Sequence, residues 1–289
     1  MPNRCPHTAV IIALIVACVT VAELAAPARA LPADSLEAGE VAALVIVPAG
    51  LVLIGMDIFD DRSDLPPSWT EPPGIDRWVA THLAPAPRSS RANFMDSGAA
   101  AAINVVAMGA AVGYLDATYP VDSPGHDFAE GQLLYWSGLA SLTGVQYAVK
   151  GLVGRQRPLW WLAPDLAAQR SGASRSTERQ SFWSGHASSA FYAATFLNLR
   201  ARDAMRRELA PDDFDDWAWA PPAVLFTWAT WVAYSRIHAH QHYLTDVLVG
   251  AGVGTALALL FESFGESSDA NEPSGGKTAI PLISFGMRF

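Results

Sequence analysis

Residues 235–246 read Ser235-Arg236-Ile237-His238-Ala239-His240-Gln241-His242-Tyr243-Leu244-Thr245-Asp246, a polar stretch near the end of an otherwise apolar chain. Arg236, then His242 six residues later, then Asp246 four beyond it can supply an anion anchor, a nucleophile and a carboxylate to orient that nucleophile. With a helix starting near Gln241, His242 and Asp246 sit at i and i+4 on one face, where a carboxylate can hold one imidazole tautomer. His238, His240 and His242 alternate, as ligands on a strand would, but no cysteine or acidic cluster joins them, so no metal is expected.

Two earlier stretches share this chemistry. Lys150 precedes Arg157-Pro158 with six residues between the lysine and the arginine, and Ser184-Gly185-His186 opens an apolar run that reads as a helix from about His186. A helix N-terminus offers unpaired backbone N–H groups and the positive end of a dipole, so Ser184-Gly185-His186 is suited to cradling a phosphate. Taken singly, each residue has a plainer explanation. A lysine or arginine at a helix end is commonly a dipole partner or a snorkelling side chain, and a single His–Asp pair is commonly structural. Three ordered motifs with their internal spacings intact ask for a common cause.

At these residues the chain resembles the type 2 phosphatidic acid phosphatase and vanadium haloperoxidase superfamily. That family's signature is Lys, six residues, Arg-Pro; then Pro-Ser-Gly-His; then Ser-Arg, five residues, His, three residues, Asp. Here the three parts are Lys150 to Pro158, Trp183-Ser184-Gly185-His186, and Ser235-Arg236 to His242 and Asp246, with Trp183 in place of the family's proline. The resemblance covers about residues 128–264. It implies metal-free hydrolysis of a phosphomonoester through a phosphohistidine, with His242 as nucleophile, Asp246 as its orienting partner and His186 as general acid and base. It further implies that Lys150, Arg157, Arg236, Ser184 and the Gly185 N–H bind the phosphate. No cofactor is implied, except vanadate under the haloperoxidase alternative.

Composition narrows the setting. The 289 residues are 51% hydrophobic and only 16% charged, well below the usual quarter, which suits a helical membrane protein or a core-rich exported one. A net charge of −9 without a basic stripe excludes nucleic acid as a partner. The substrate's phosphate must then be attracted locally, by Lys150, Arg157 and Arg236. Residues 1–30 read as an export signal: Arg4, an apolar run over 9–22, and Ala28-Arg29-Ala30 as a cleavage site. A lipoprotein cleavage site at Cys18 and an uncleaved first transmembrane helix are the alternatives. Both cysteines, Cys5 and Cys18, fall in this segment.

The rest of the chain reads as an all-α helical bundle of about six helices after the signal segment. Residues 31–97 form an N-terminal helix, interrupted at Pro48 and Gly50, and a Pro-rich loop with one short helix at 75–82. Residues 98–264 form the bundle. Its long helices are expected at 97–114, 128–150, 186–199 and onward, 220–235, and 244–264. An acidic turn at 211–216 and a loop at 151–180 lie between them, the loop read as a pocket lid. Residues 265–289 read as a flexible tail with a strand-like end.

Apolar content favours a membrane, with the end holding His186 and Arg236 facing outward and the end holding Arg200 to Arg207 facing the cytoplasm. One of the first three helices cannot then cross, and 41–59 is the candidate to lie at the interface. Trp160, Trp161, Trp183, Trp228 and Trp231 read equally well as an acyl groove or as anchors and core. The expected function is an envelope phosphatase for a lipid phosphate or diphosphate. The alternatives are a soluble periplasmic acid phosphatase for small phosphomonoesters, a vanadate-dependent haloperoxidase, and an inactive membrane scaffold.

Overall fold

The computed structural model describes residues 38–84, 87, 99–121, 124–170 and 177–266. The expected export segment, both cysteines and the strand-like tail end lie outside them. In chain order the helices are α1 (Ala38–Asp60), α2 (Gly74–His82), α3 (Ala99–Thr118), α4 (Pro124–Val153), α5 (Pro158–Leu162), α6 (Pro164–Arg170), α7 (Gly185–Glu208), α8 (Pro211–Trp217), α9 (Ala220–His238) and α10 (Leu244–Glu266). The expected all-α bundle is present. The long helices α1, α3, α4, α7, α9 and α10 build it, and an isolated bridge between Trp69 and Arg155 is the nearest approach to a strand among the described residues.

Helix α7 lies in the middle, packed on α3, α9 and α10. Its Ala187, Ala190, Ala193 and Ala194 are fully buried, and these small side chains let the neighbouring helices come close. Ser184 starts α7, its hydroxyl oxygen accepting from Ala187 N at 3.4 Å, and Arg206 and Arg207 fall in the last turn, where the helix dipole favours cations. Lower in the core Tyr135, Tyr192 and Phe196 meet, with Tyr135 edge-on to Phe196 at 5.4 Å. Both buried phenols find carbonyls: Tyr135 donates to Val105 O at 2.7 Å and Tyr192 to Tyr135 O at 2.9 Å.

The interruption expected at Pro48 and Gly50 does not occur, and α1 runs unbroken. It packs along α4 in the same direction, residues 51–55 against Gly144 and residues 58–59 against Gly151. A Cβ on Gly144 would fall 2.4 Å from the Leu51 carbonyl carbon, so this contact requires glycine. Helix α1, the segment expected to lie at the interface, stands beside α4 along its length. Among the described residues three stretches are long and apolar enough to cross a membrane, Val41–Asp60, Ala101–Thr118 and Leu244–Phe264.

The long helices share two ends. Ala101 of α3 packs with Ala190, Ala229 and Val232, whereas Asp116 near the other end of α3 reaches Arg200. Helices α1, α4 and α9 thus run toward one end, and α3, α7 and α10 run away from it. The segment expected as a lid is largely built into this end. It forms α5 and α6, Leu159 N donates to His240 O at 3.1 Å, and Arg157 N donates to Glu178 O at 2.8 Å. Bonded to the α9–α10 connection through Leu159 and closed on itself through Arg157 and Glu178, it forms a wall of the site.

Candidate active site

Every residue singled out in the sequence comes from an element terminus at this one end. The last turn of α4 carries Lys150, and the link to α5 carries Arg157. Ser184 caps α7, whose first residues are Gly185 and His186. The last turn of α9 carries Arg236, the connection to α10 carries His242, and the first turn of α10 carries Asp246. Lys150, Ser184, Arg236, His242 and Asp246 are buried. Arg157, Gly185 and His186 keep partial exposure, so solvent reaches the cluster on their side.

The arrangement around His242 differs from the expected one. Helix α10 starts at Leu244, not near Gln241, so His242 precedes the helix. Its Nδ1 lies 3.9 Å from the Asp246 carboxylate, too far for a hydrogen bond, and 2.6 Å from the Ser181 carbonyl oxygen. A carbonyl can only accept, so Nδ1 carries the proton and Nε2 keeps the lone pair. The tautomer is thus set by a backbone oxygen 61 residues away in sequence, a partner that motif spacing cannot disclose.

Asp246 acts one step further out. It accepts from Ser181 Oγ at 2.5 Å and from Tyr243 N at 2.9 Å, so it holds the residue that grips His242 and the residue next to it in the chain. It also pairs with Arg155. The other side of that guanidinium binds Asp76 of α2 at 2.5 Å, and Asp76 receives Thr245 N at 2.9 Å and Thr245 Oγ1 at 2.6 Å. Arg155 is sandwiched between the rings of Trp69 and Tyr243, 4.0 and 4.3 Å from their centroids. Neither Arg155 nor Asp76 was assigned to the site by sequence. They lie 79 residues apart, and the short helix expected at 75–82 carries no motif that ties Asp76 to the site.

The cations nearest the imidazoles are differently supplied. Arg157 donates to the amide oxygens of Gln241 and Gln180, while its Nε is buried with no hydrogen-bond partner among the described residues. Burial is the main cause that pushes Arg157 down to about 10, with Asp246 opposing and Arg236 adding to the fall. Burial and the Arg157 charge push Lys150 down to about 7, against the pull of Asp246. Burial, then Arg236, Lys150 and Arg157, push His186 down to about 4. Burial and the same lysine and Arg157 hold His242 well below its ordinary value, although the Ser181 carbonyl works the other way. Both imidazoles are therefore neutral near pH 7, beside cations with the charge to hold an anion.

Gln146, one turn before Lys150, is part of this pocket. With its amide turned to satisfy its neighbours, its oxygen accepts from Lys150 Nζ at 2.7 Å and from Gly185 N at 3.2 Å. A Cβ on Gly185 would fall 2.1 Å from the end of the Gln146 amide, so glycine is what lets that amide lie against the start of α7. The signal was available, since Gln146 and Lys150 stand at i and i+4.

The tryptophans do not form a common groove. Trp160 is buried with Leu159 and Ala167, and Trp183 is fully buried in the main core, so its substitution for proline fills the interior behind the site. Trp228 packs partly on that core, Trp161 lies beneath Arg77, and Trp231 is exposed.

Residues 131–266 match the model of the PAP2 superfamily. The chain is 34% identical over 96 residues to phospholipid phosphatase 2 of Bos taurus, covering 31% of this chain and 30% of that protein. It is 31% identical over 131 residues to phospholipid phosphatase 2 of Mus musculus, covering 38% of this chain and 44% of that protein. The matches thus span less than half the length of these curated relatives. No solved structure matches the chain.

Proposed function

Starting from a chain whose residues 131–266 match the model of the PAP2 superfamily, we propose that it hydrolyses the phosphate monoester or diphosphate of a lipid, using no metal and passing through a phosphohistidine. The observation that carries this is the pairing of a tautomer-fixed, neutral His242 with Lys150 and Arg157, whose side chains bond to amide oxygens, at the N-terminus of α7. Such a pocket is complementary to a phosphoryl group whose negative charge shifts during transfer.

His242 Nε2 attacks phosphorus, the ester P–O bond breaks, and His186 gives its proton to the leaving oxygen. Neutral His186 then takes a proton from water, the water oxygen attacks phosphorus, and the P–N bond breaks to return His242 and free phosphate. The imidazolium of the intermediate keeps its Nδ1–H on the Ser181 carbonyl and has the Asp246 carboxylate 3.9 Å away. Lys150, Arg157, Arg236, the Gly185 N–H and the Ser184 hydroxyl hold the non-bridging oxygens. A dianion in the pocket offsets the charges that depress His186, so the bound complex can carry the proton that the empty site rejects.

A membrane setting is supported by the three apolar helices and by aromatic side chains at both ends of α9. Trp217 and Trp219 are exposed before it, and Trp231 and Tyr234 are exposed in its later turns. The 19 residues of α9 span about 28 Å at 1.5 Å each, close to the thickness of a hydrocarbon core. In this proposal the site faces outward and the end holding Arg202, Arg206 and Arg207 is cytoplasmic. Since α1 runs toward the site, this sidedness has the chain enter α1 from the cytoplasmic end. A signal cleaved near Leu31 would deliver it from the opposite side. Labelling of a cysteine placed at Arg62 in intact cells decides between them, because reagent that cannot cross the membrane reaches it only if the site end is external.

The activity test is phosphate release from a panel of phosphatidate, phosphatidylglycerol phosphate, polyprenyl diphosphate, lipid A and a soluble aryl phosphate. Lipid substrates in detergent micelles should exceed the aryl phosphate in kcat/KM. A preference for the soluble ester without detergent would transfer the assignment to a small-molecule phosphatase, and halide oxidation dependent on added vanadate would transfer it to a haloperoxidase.

A further inference from the structure

Helix α2 has two faces that the site does not fully use. Asp76, Val79 and Ala80 are buried, and Val79 packs with Ala187, Ala233, Ile237 and Val247, all within two turns of the site ends of α7, α9 and α10. Next to this buried stripe, Ile75, Trp78 and Leu83 are 53%, 50% and 53% exposed, and the Trp78 ring stacks on His82 at 5.3 Å. Arg77, on a polar side, is engaged with Glu71 at 3.1 Å. A short helix with one apolar and one charged outer side is built for a boundary between oil and water.

Its position supplies the partner. Asp76 binds the backbone N–H and hydroxyl of Thr245, the second residue of the apolar stretch Leu244–Phe264. The apolar stretch of α1 ends at Asp60, with residues 58–59 against Gly151 at this same end of the bundle. Helix α2 is therefore fastened at the level where two candidate spans meet the membrane surface.

We propose that α2 docks on the bilayer surface beside the active site, laying Ile75, Trp78 and Leu83 into the headgroup boundary so that a lipid phosphate reaches the pocket from the plane of the membrane. The delivery half rests on the lipid-phosphatase reading above; the docking half does not. Trp78 suits this role because its ring is apolar in body and polar at one edge. The grip of Asp76 on Arg155, and of Arg155 on Asp246, ties the docked helix to the network that positions His242.

The test uses the full chain with Cys5 and Cys18 replaced by serine, reconstituted in phosphatidylcholine vesicles. An environment-sensitive fluorophore is attached at Trp78→Cys or, as the control on the polar side, at Arg77→Cys. Nitroxide placed near the lipid headgroup should quench the label at 78 and spare the label at 77. Equal quenching at both positions, or none at 78, overturns the docking surface; protection of 78 from aqueous reagents without lipid quenching assigns the face to a second copy of the chain and overturns it too. In the second arm, Ile75→Ser/Trp78→Ser should lower turnover of vesicle-borne phosphatidate by about tenfold, the loss expected when two half-exposed apolar side chains leave an interface. The same variant should keep its turnover of a soluble aryl phosphate, and an equal loss on both substrates would overturn delivery from the membrane plane. Quenching at 78 with no phosphatidate turnover by the parent protein would sink the lipid-phosphatase reading and leave the docking surface standing.

Discussion

The two ends of the bundle bury arginines in opposite ways. At one end Arg200 Nε lies 2.9 Å from Glu262 and Nη1 lies 3.7 Å from Asp116. Two carboxylates thus face the guanidinium. At the site end Arg157 bonds to amide oxygens, and burial pushes it down to about 10. Arg155, two residues earlier, follows the Arg200 pattern, with Asp76 and Asp246 on its two sides. The same loop thus holds an arginine matched by carboxylates and one matched by neutral groups. Buried charge without its counter-ion costs stability in the empty protein, and a bound anion restores it. The contrast separates arginines that hold the fold from arginines that wait for a ligand.

The largest expected effect tests whether the unmatched end is catalytic at all. His242→Ala should lower phosphate release by roughly 10⁴-fold or more, as loss of a nucleophile does, and single-turnover assays with a radiolabelled phosphate ester should trap no phosphoenzyme. Retention of even a hundredth of the turnover would reduce this end to a binding site.

Exchanging the arginines sharpens the contrast itself. Arg157→Met should cost about 10²- to 10³-fold in kcat/KM, the range for a lost charge-stabilising donor, while the ligand-free protein melts no earlier than the parent. Arg200→Met should do the reverse, losing about 2 kcal/mol of stability by stranding carboxylates in a partly exposed setting, with turnover per folded molecule unchanged. Calorimetry beside steady-state kinetics reads both. A destabilised Arg157 variant would mean that its amide partners match it as well as carboxylates match Arg200.

How much of this was legible in the sequence follows from the range of each interaction. Lys150, Arg157, His186, Arg236 and His242 announce themselves because each motif is short and sits at an element end. The bundle was legible from long apolar runs, although Pro48 suggested a break that α1 does not show; in an apolar setting a proline-interrupted helix has no water to compete for its backbone. Illegible were contacts between residues far apart in sequence. Asp76 with Arg155, and Ser181 O with His242, are brought together only by the fold, and the motif reading placed Asp246 directly on His242 where the structure inserts Ser181 between them. Gln146 stands four residues before Lys150, but helical spacing alone does not tell which polar neighbours bond to each other.

A smaller effect comes from pH. His186 has a folded pKa of about 4, below the unfolded value of about 6.5, so the unfolded chain binds its proton first. Its contribution to stability is present above pH about 6.5 and is lost as the pH falls toward about 4. Orthovanadate in the pocket should raise the melting temperature, by about 2.7 kcal/mol of linkage at a hundred times its Kd, and should flatten this slope by offsetting the cations that depress His186. Melting curves from pH 4 to 7 with and without orthovanadate provide the check, and His186→Asn should remove part of the slope in the empty protein. An identical slope in both series would mean that the anion does not lie beside His186.

The smallest expected effect makes the site end resemble its opposite. Gln146→Glu places a carboxylate where an amide oxygen now accepts from Lys150 Nζ at 2.7 Å, so Lys150 should rise from about 7 and one positive charge be cancelled. Phosphate would then meet repulsion from the introduced carboxylate and a lysine already paired, and KM should rise about tenfold near pH 7 while kcat falls less, since ground state and transition state lose the attraction alike. Gln146→Leu removes the acceptor without adding charge, frees Lys150 and the Gly185 N–H for the ligand, and should hold KM within about threefold. Equal losses in the two variants would show that Gln146 matters for the placement of α7 against α4, not for the unmatched charge that distinguishes this end from the one around Arg200.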